Sequence, residues 1–298
     1  MKVFFIIAIT IVLQSCSFDK LFLQPTELPQ LPPNKEKVSI TMNAKGDTTI
    51  VEFKTKTLQP TFLTTRHDTL SFDYTIESVL FTSTSKNKLN GWMLKPKNKK
   101  VSTTLLHFHG NAGFLLSQYQ ALVPLLDEGF QVFVFDYSGF GFSEGEASRD
   151  MVLLDGLSAL TYVKSRDDVK GTKLVIYGQS LGGHLSAVVA ALRQDEIDGL
   201  VIEGAFSSHK DIAAKRAGFF GRWLVREKYS ALASLPNYKK PLLIIHCTED
   251  ETIPFDLGQK LFQAGNAPKT FFEIKYAHIA GPEHYPTAIA EKIRKLLE

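Results

Sequence analysis

From about residue 101 onward, short apolar runs alternate with longer amphipathic stretches. The runs cover residues 104–108, 131–135, 173–177, 199–203, 242–246 and 270–274, each the length of a buried strand. Between and after them, residues 117–128, 148–165, 181–193, 255–264 and 286–297 are predicted helical. Strands separated by helices predict a mainly parallel sheet with helices on both faces. Before residue 101 the period changes to two: residues 38–42, 49–54, 74–81 and 89–94 alternate polar and apolar side chains, with a turn at 86–88. These predict antiparallel strands that extend the same sheet at one edge. Residues 207–238 break the rhythm, with Phe219, Phe220 and Trp223 set among Arg216, Arg222 and Arg226. That segment is predicted to be a small cap over the strand ends, with Phe219 and Phe220 as candidate substrate-binding residues. The expected fold class is therefore α/β.

The N-terminal stretch follows another logic. Lys2 precedes an almost wholly apolar run at 3–13, and Leu13-Gln14-Ser15-Cys16 follows. A positive end, an apolar run and small residues make a secretory signal, and the run is too short to span a bilayer comfortably. The Leu-Gln-Ser-Cys ending resembles the bacterial lipoprotein box. The resemblance implies a signal peptide at 1–15, acylation of Cys16, and a chain anchored to a lipid bilayer of the bacterial cell envelope. Residues 16–36, with Pro25, Pro29, Pro32 and Pro33, are expected to form a semi-rigid tether, leaving 37–298 as the folded domain.

Composition narrows the classes. With 44% apolar residues, the 298-residue chain can bury a large core. The net charge of +3, without basic runs interleaved with aromatics, does not suggest a nucleic-acid partner. Once Cys16 is acylated only Cys247 remains, so no internal disulfide forms. Cys247 is expected to be a small buried filler.

The chemistry concentrates in a few loops. Gly178-Gln179-Ser180-Leu181-Gly182 follows an apolar strand and precedes a helix, the G-x-S-x-G arrangement that exposes a nucleophile on a sharp turn. Ser180 is the expected nucleophile. Oxyanion donors are expected from the N–H of Leu181 and from the glycine-rich His109-Gly110-Asn111-Ala112-Gly113 loop, where Asn111 is chosen and Ala112 is the nearest competitor. His109 is expected to shape that loop. The acid is expected just past residue 246, where Glu249, Asp250 and Glu251 compete and position does not separate them. The base must follow the acid in this order of parts. Only His278 and His284 do so, and His278 has the better position, in a loop after the last strand.

Phe108-His-Gly-Asn-Ala-Gly113, Asp136-Tyr-Ser-Gly-Phe-Gly-Phe-Ser143, Gly178-Gln-Ser-Leu-Gly-Gly183 and Thr248-Glu-Asp-Glu-Thr-Ile-Pro254 together resemble the abhydrolase branch of the α/β-hydrolase superfamily, which shares its fold with serine aminopeptidases. The likeness covers residues 74–298. It implies Asp250 as the catalytic acid, Ser180 as the nucleophile, and Asn111 and Leu181 as oxyanion donors. His278 matches the catalytic histidine less closely, because Lys-Tyr-Ala-His stands where the family usually has glycines, and Cys247 replaces a usual glycine. Tyr137 is a further candidate substrate-binding residue, with scaffold packing as the competing role.

The expected activity is hydrolysis of a small acyl-containing substrate, a carboxylic ester, through a Ser-His-Asp acyl-enzyme. A peptidase, amidase or thioesterase would use the same parts, and a non-enzymatic binding lipoprotein is the competing class. No cofactor is expected. His107 and His109 alternate, but no further ligand at metal spacing lies near them. The sequence leaves the oligomeric state open.

Overall fold

The computed structural model describes residues 22–298 other than 30, 33, 45, 46 and 224. The signal peptide, Cys16 and the first part of the tether lie outside the described residues.

Three strands, β1 (Lys37–Ala44), β2 (Asp47–Lys54) and β3 (Pro60–Leu63), form a separate antiparallel sheet. The sequence pattern had placed the first two in the main sheet. They depart because Val51, Phe53 and Phe62 bury their side chains against Trp92 and Tyr119, on one face of the main sheet. The hairpin β4 (Tyr74–Thr82) and β5 (Lys88–Pro96) does extend the main sheet at its edge. The remaining strands are β6 (Thr103–Phe108), β7 (Phe130–Phe135), β8 (Lys173–Gln179), β9 (Gly199–Glu203), β10 (Leu242–Cys247) and β11 (Lys269–Ile274). Their spatial order is β4-β5-β7-β6-β8-β9-β10-β11, parallel from β7 through β11.

Alternate residues of each strand feed opposite faces. Leu106, Phe108 and Ile176 point into one core, beneath helices α1 (Arg149–Ser165), α2 (Leu181–Leu192), α3 (His209–Ala217) and α4 (Phe255–Ala264). Leu105, Val175 and Tyr177 point into the other, with Leu122 and with Ile289 and Ile293 of α5 (Pro286–Leu297). Strands covered on both sides explain why β6, β7, β9 and β10 are buried along their whole length. α1 starts at Ser148, whose hydroxyl accepts from the Met151 N–H. The helix expected at 117–128 is instead one α turn, Leu115–Gln118, continued by a 3-10 helix, Tyr119–Leu125, which contains Pro124.

Part of the expected tether packs on the domain. Phe22 and Leu23 are buried in the first core, and Gln24–Pro25 pairs with Ala112–Gly113. Two apolar side chains next to an open strand edge give this segment more to gain from docking than from solvation.

The sheet order sets the place of the site. From β6 the chain crosses to β7 on one side, and β8 lies on the other. The loops leaving β6 and β8 therefore part, and a crevice opens at the carboxyl ends of the strands.

Candidate active site

β8 ends at Gln179 and α2 begins at Leu181, so Ser180 alone makes the turn between them. Its backbone has φ 54 and ψ −116, a region costing a non-glycine residue on the order of 1–3 kcal/mol. The surroundings enforce it. The Ser180 N–H donates to the Glu203 carbonyl at 2.9 Å. A Cβ on Gly178 would lie 2.3 Å from Ser186 Oγ, and one on Gly182 would lie 2.0 Å from the Phe108 carbonyl oxygen. Only glycines let the strand, turn and helix approach this closely. The Ser180 hydroxyl makes no capping bond to α2.

Ser180 opens onto a cavity of about 250 Å³. Its walls come from loops that leave four strands: Gly110 to Ala112 after β6, Ser180 and Leu181 after β8, Thr252 and Ile253 after β10, and His278 and Ile279 after β11. α3 adds Ile212 and Arg216, and Phe22 closes one side.

Among the three competing acids, Glu249 and Glu251 are exposed and Asp250 is buried. Asp250 Oδ1 accepts from the N–H groups of Thr252 (2.9 Å) and Ile253 (2.8 Å), and Oδ2 accepts from His278 Nδ1 at 2.6 Å. Burial works against the charged carboxylate, but the His278 bond, the Ile253 N–H and the nearby charges of His278 and His246 outweigh it. The carboxyl is held below its usual range. A proton on His278 Nδ1 leaves Nε2 as the free nitrogen. Ser180 and His278 share the cavity wall, and no hydrogen bond joins their side chains. Such bonds are often long before substrate binds. His284 lies elsewhere: it is exposed and stacks on Tyr276 with centroids 4.0 Å apart.

Asn111 and Leu181 border the same cavity. Leu181 is the first residue of α2, so its N–H has no acceptor within the helix. The Asn111 side chain faces away from this role, since its Oδ1 accepts from the Gln24 N–H at 2.9 Å. His109 is fully buried, its Nδ1 donates to the Gly110 carbonyl at 2.8 Å, and burial pushes it down to about 4. A neutral imidazole braced in this way holds the loop.

The structure places three expected substrate contacts outside the wall of the Ser180 cavity. Tyr137 is fully buried, and its hydroxyl donates to the His109 carbonyl at 3.0 Å, which makes it part of the scaffold. Phe219 and Phe220 line no part of the Ser180 cavity. They lie on a 3-10 turn, Phe219–Trp223, and are 65% and 78% exposed. The 207–238 segment reaches the cavity through Ile212 and Arg216 of α3 instead, because helical spacing turns those two toward the strand ends.

One group of possible metal ligands that the sequence spacing did not suggest occurs among the described residues. His184, His209 and Glu227 place ligand atoms within 4.8 Å of one another. Glu227 already accepts from the His209 N–H, His209 Nδ1 and the Lys210 N–H, so it caps α3.

Glu203 carried no signal in the sequence beyond ending a strand. It is buried beneath the His278 loop and accepts from the Tyr177 hydroxyl (2.9 Å), the Gln179 amide (2.8 Å) and the Gly281 N–H (2.7 Å). It donates nothing, as suits an ionised carboxylate. Burial pushes its pKa up, and its bonds and the charge of His278 oppose that rise. The loop it pins is strained, with Tyr276 at φ 83 and Ile279 at φ 51 on either side of His278. Cys247 Sγ bonds to the Tyr276 carbonyl on the other flank. The other titratable groups facing this region are Asp250 and His246 from the β10 side, and His107, which reaches Gln179 at 3.0 Å. Glu203→Gln is therefore expected to loosen the His278 loop and to lower kcat about tenfold with KM nearly unchanged. Steady-state kinetics on one activated ester, set beside thermal melting, check this. A loss of thermal stability with kcat unchanged would assign Glu203 to scaffold alone.

A family model described as alpha/beta hydrolase fold matches residues 103–224. The "Uncharacterized protein YfhR" of Salmonella typhi is 36% identical over 209 residues, covering 65% of this chain and 70% of that one. The chain belongs to the alpha/beta-hydrolase superfamily. Protein bem46 of Schizosaccharomyces pombe is 32% identical over 185 residues, covering 60% of this chain and 62% of that one. Among solved structures, the esterase Pf2001 of Pyrococcus furiosus is similar with a TM-score of 0.65 at 18% identity, covering 76% of this chain and 92% of that one. Est1E of Butyrivibrio proteoclasticus with ferulic acid bound is similar with a TM-score of 0.59 at 19% identity, covering 73% and 96%. At those identities the two structures speak for the fold. The chain is an α/β-hydrolase-fold enzyme, and the serine aminopeptidase branch finds no separate support among these matches.

Proposed function

We propose that this enzyme hydrolyses carboxylic esters through an acyl-enzyme on Ser180. The observation that carries the reading is the strained Ser180 in a cavity shared with His278, whose Nδ1 is bonded to buried Asp250. His278 Nε2 takes the proton from Ser180 Oγ as that oxygen attacks the ester carbonyl. The N–H groups of Leu181 and Asn111 stabilise the oxyanion. The alcohol leaves with the proton from His278, and water then releases the acid through the same base. Asp250 keeps His278 in the tautomer this needs. The esterases that share the fold support ester over amide substrates. A cavity of about 250 Å³ lies below the usual range for drug-sized ligands and favours short acyl groups. Labelling by a fluorophosphonate probe, followed by a panel of acyl chain lengths on ester, thioester and amide leaving groups, tests the reading. A folded protein that neither labels nor turns over any ester would end it.

We propose further that Cys16 is acylated and anchors the chain to a membrane. Among the described residues no helix is long and apolar enough to cross one. Several acyl chains hold stably where one alone is marginal. Cells fed labelled palmitate are expected to label the wild type and not Cys16→Ser. An unlabelled wild type would refute the anchor.

A further inference from the structure

Large apolar side chains that face solvent are concentrated in one place. Phe219, Phe220 and Trp223 are 65%, 78% and 76% exposed, all on the 3-10 turn that follows α3. The turn is built to present them. Gly218 ends α3 at φ 74, and a Cβ on Gly221 would lie 2.4 Å from the Ala213 carbonyl, so the turn packs its backbone against the helix and its rings outward. Phe219 and Phe220 meet edge to face at 5.8 Å. Contiguous exposed aromatics of this kind mark an interaction surface.

The charge around them selects the partner. From Lys210 to Lys228 the chain carries six cations, of which Lys215, Arg222 and Lys228 are ion-paired with Asp256, Asp211 and Asp150, while Lys210, Arg216 and Arg226 are exposed. Arg222 lies 5.9 Å over the Phe219 ring. Arg216 and Arg226 are exposed, and neither makes an ion pair among the described residues. Exposed Trp and Phe in a segment that also presents exposed Arg and Lys match the boundary between acyl chains and anionic headgroups, where rings enter the interface and cations stay at the phosphates.

The course of the chain points the same way. Phe22, the first described residue, packs edge to face on His209 at 4.8 Å, at the start of α3. The aromatic turn lies one nine-residue helix away, about 13 Å. Phe22 lies six positions after Cys16, a distance in the chain that can span at most about 21 Å. An anchor at Cys16 therefore holds the α3 end of the molecule near the bilayer.

We infer that the Phe219–Trp223 turn is a membrane-docking face for an anionic lipid surface, which places the mouth of the Ser180 cavity, through Arg216, at the lipid interface. The orientation argument rests on the Cys16 anchor proposed above; the aromatic and basic surface stands without it.

The chain contains two tryptophans, and Trp92 is fully buried, so Trp223 reports on this face. The full-length protein and its Cys16→Ser variant are mixed with phosphatidylcholine vesicles with and without phosphatidylglycerol, some carrying brominated acyl chains. With phosphatidylglycerol, emission is expected to shift to the blue and be quenched by shallow bromines in both proteins, more weakly in 0.5 M salt. Phe219→Ser/Phe220→Ser is expected to lose both signals and to bind anionic vesicles about tenfold more weakly in the Cys16→Ser background. Trp223→Phe should remove the quenching and keep most of the binding. Unquenched emission from protein that sediments with the vesicles would overturn the docking face while leaving the anchor intact. A blue shift that grows with protein concentration in lipid-free buffer would overturn it in favour of a second copy of the chain. None of these readouts depends on turnover, so failure of the ester reading would appear separately.

Discussion

Ser180→Ala is expected to abolish fluorophosphonate labelling and to lower kcat/KM on an activated ester by about 10⁵-fold, with the fold intact. That loss corresponds to about 7 kcal/mol of transition-state stabilisation. The size follows from the site. Among the described residues no other hydroxyl is presented by a turn held at positive φ between a buried strand and a helix start, so no neighbouring group is placed to take over the covalent path. A residual rate above that of water should remain, because the N–H donors of Leu181 and Asn111 stay in place. The fold should survive, since the Ser180 hydroxyl makes no capping bond; alanine inherits the backbone strain and adds none. Circular dichroism and thermal melting check the fold, and single-substrate kinetics check the rate. Unchanged turnover in a folded Ser180→Ala protein would remove the acyl-enzyme mechanism.

His278→Ala is expected to cost nearly as much, and the double variant with Ser180→Ala little more than either alone, because the two act as a unit. His278 is the imidazole bonded to Asp250, at 2.6 Å, and it lines the cavity with Ser180. His284→Ala should stay within about threefold of the wild type, the loss of one exposed stacking contact with Tyr276 being the whole change. Measuring kcat/KM for the three variants on one ester decides between the histidines. Collapse in His284→Ala with near-normal turnover in His278→Ala would move the base.

Much of this was legible in the chain itself. Apolar runs at 104–108, 131–135 and 173–177 can be nothing but buried strands once helices flank them, and the eight-stranded sheet contains all three. The turn at Ser180 was legible because its requirements are local: glycine at 178 and 182, an apolar strand before and a helix after. Hydrophobic period and steric demand act over a few residues, so a linear reading captures them.

Other features depend on residues far apart in the chain. Asp250 stands out from Glu249 and Glu251 through its bond to His278, 28 residues on. Glu203 matters through Gly281, 78 residues on. Nothing local marks either one. The aromatic residues of 207–238 were visible as a cluster, but their direction was not. Ile212 and Arg216 face the cavity while Phe219 and Phe220 face solvent, because Gly218 turns the chain after α3 and Gly221 binds it back. Residues 22–25 read as tether by composition, yet their apolar pair found an open strand edge and a core to enter. The sequence by itself determined the layers of the fold, the nucleophile's turn and the set of candidate partners, since these follow from local period and backbone sterics. Only the tertiary structure decided which acid, which histidine and which wall meet at the cavity, because side-chain direction across distant loops is set by packing against neighbours that the linear order does not reveal.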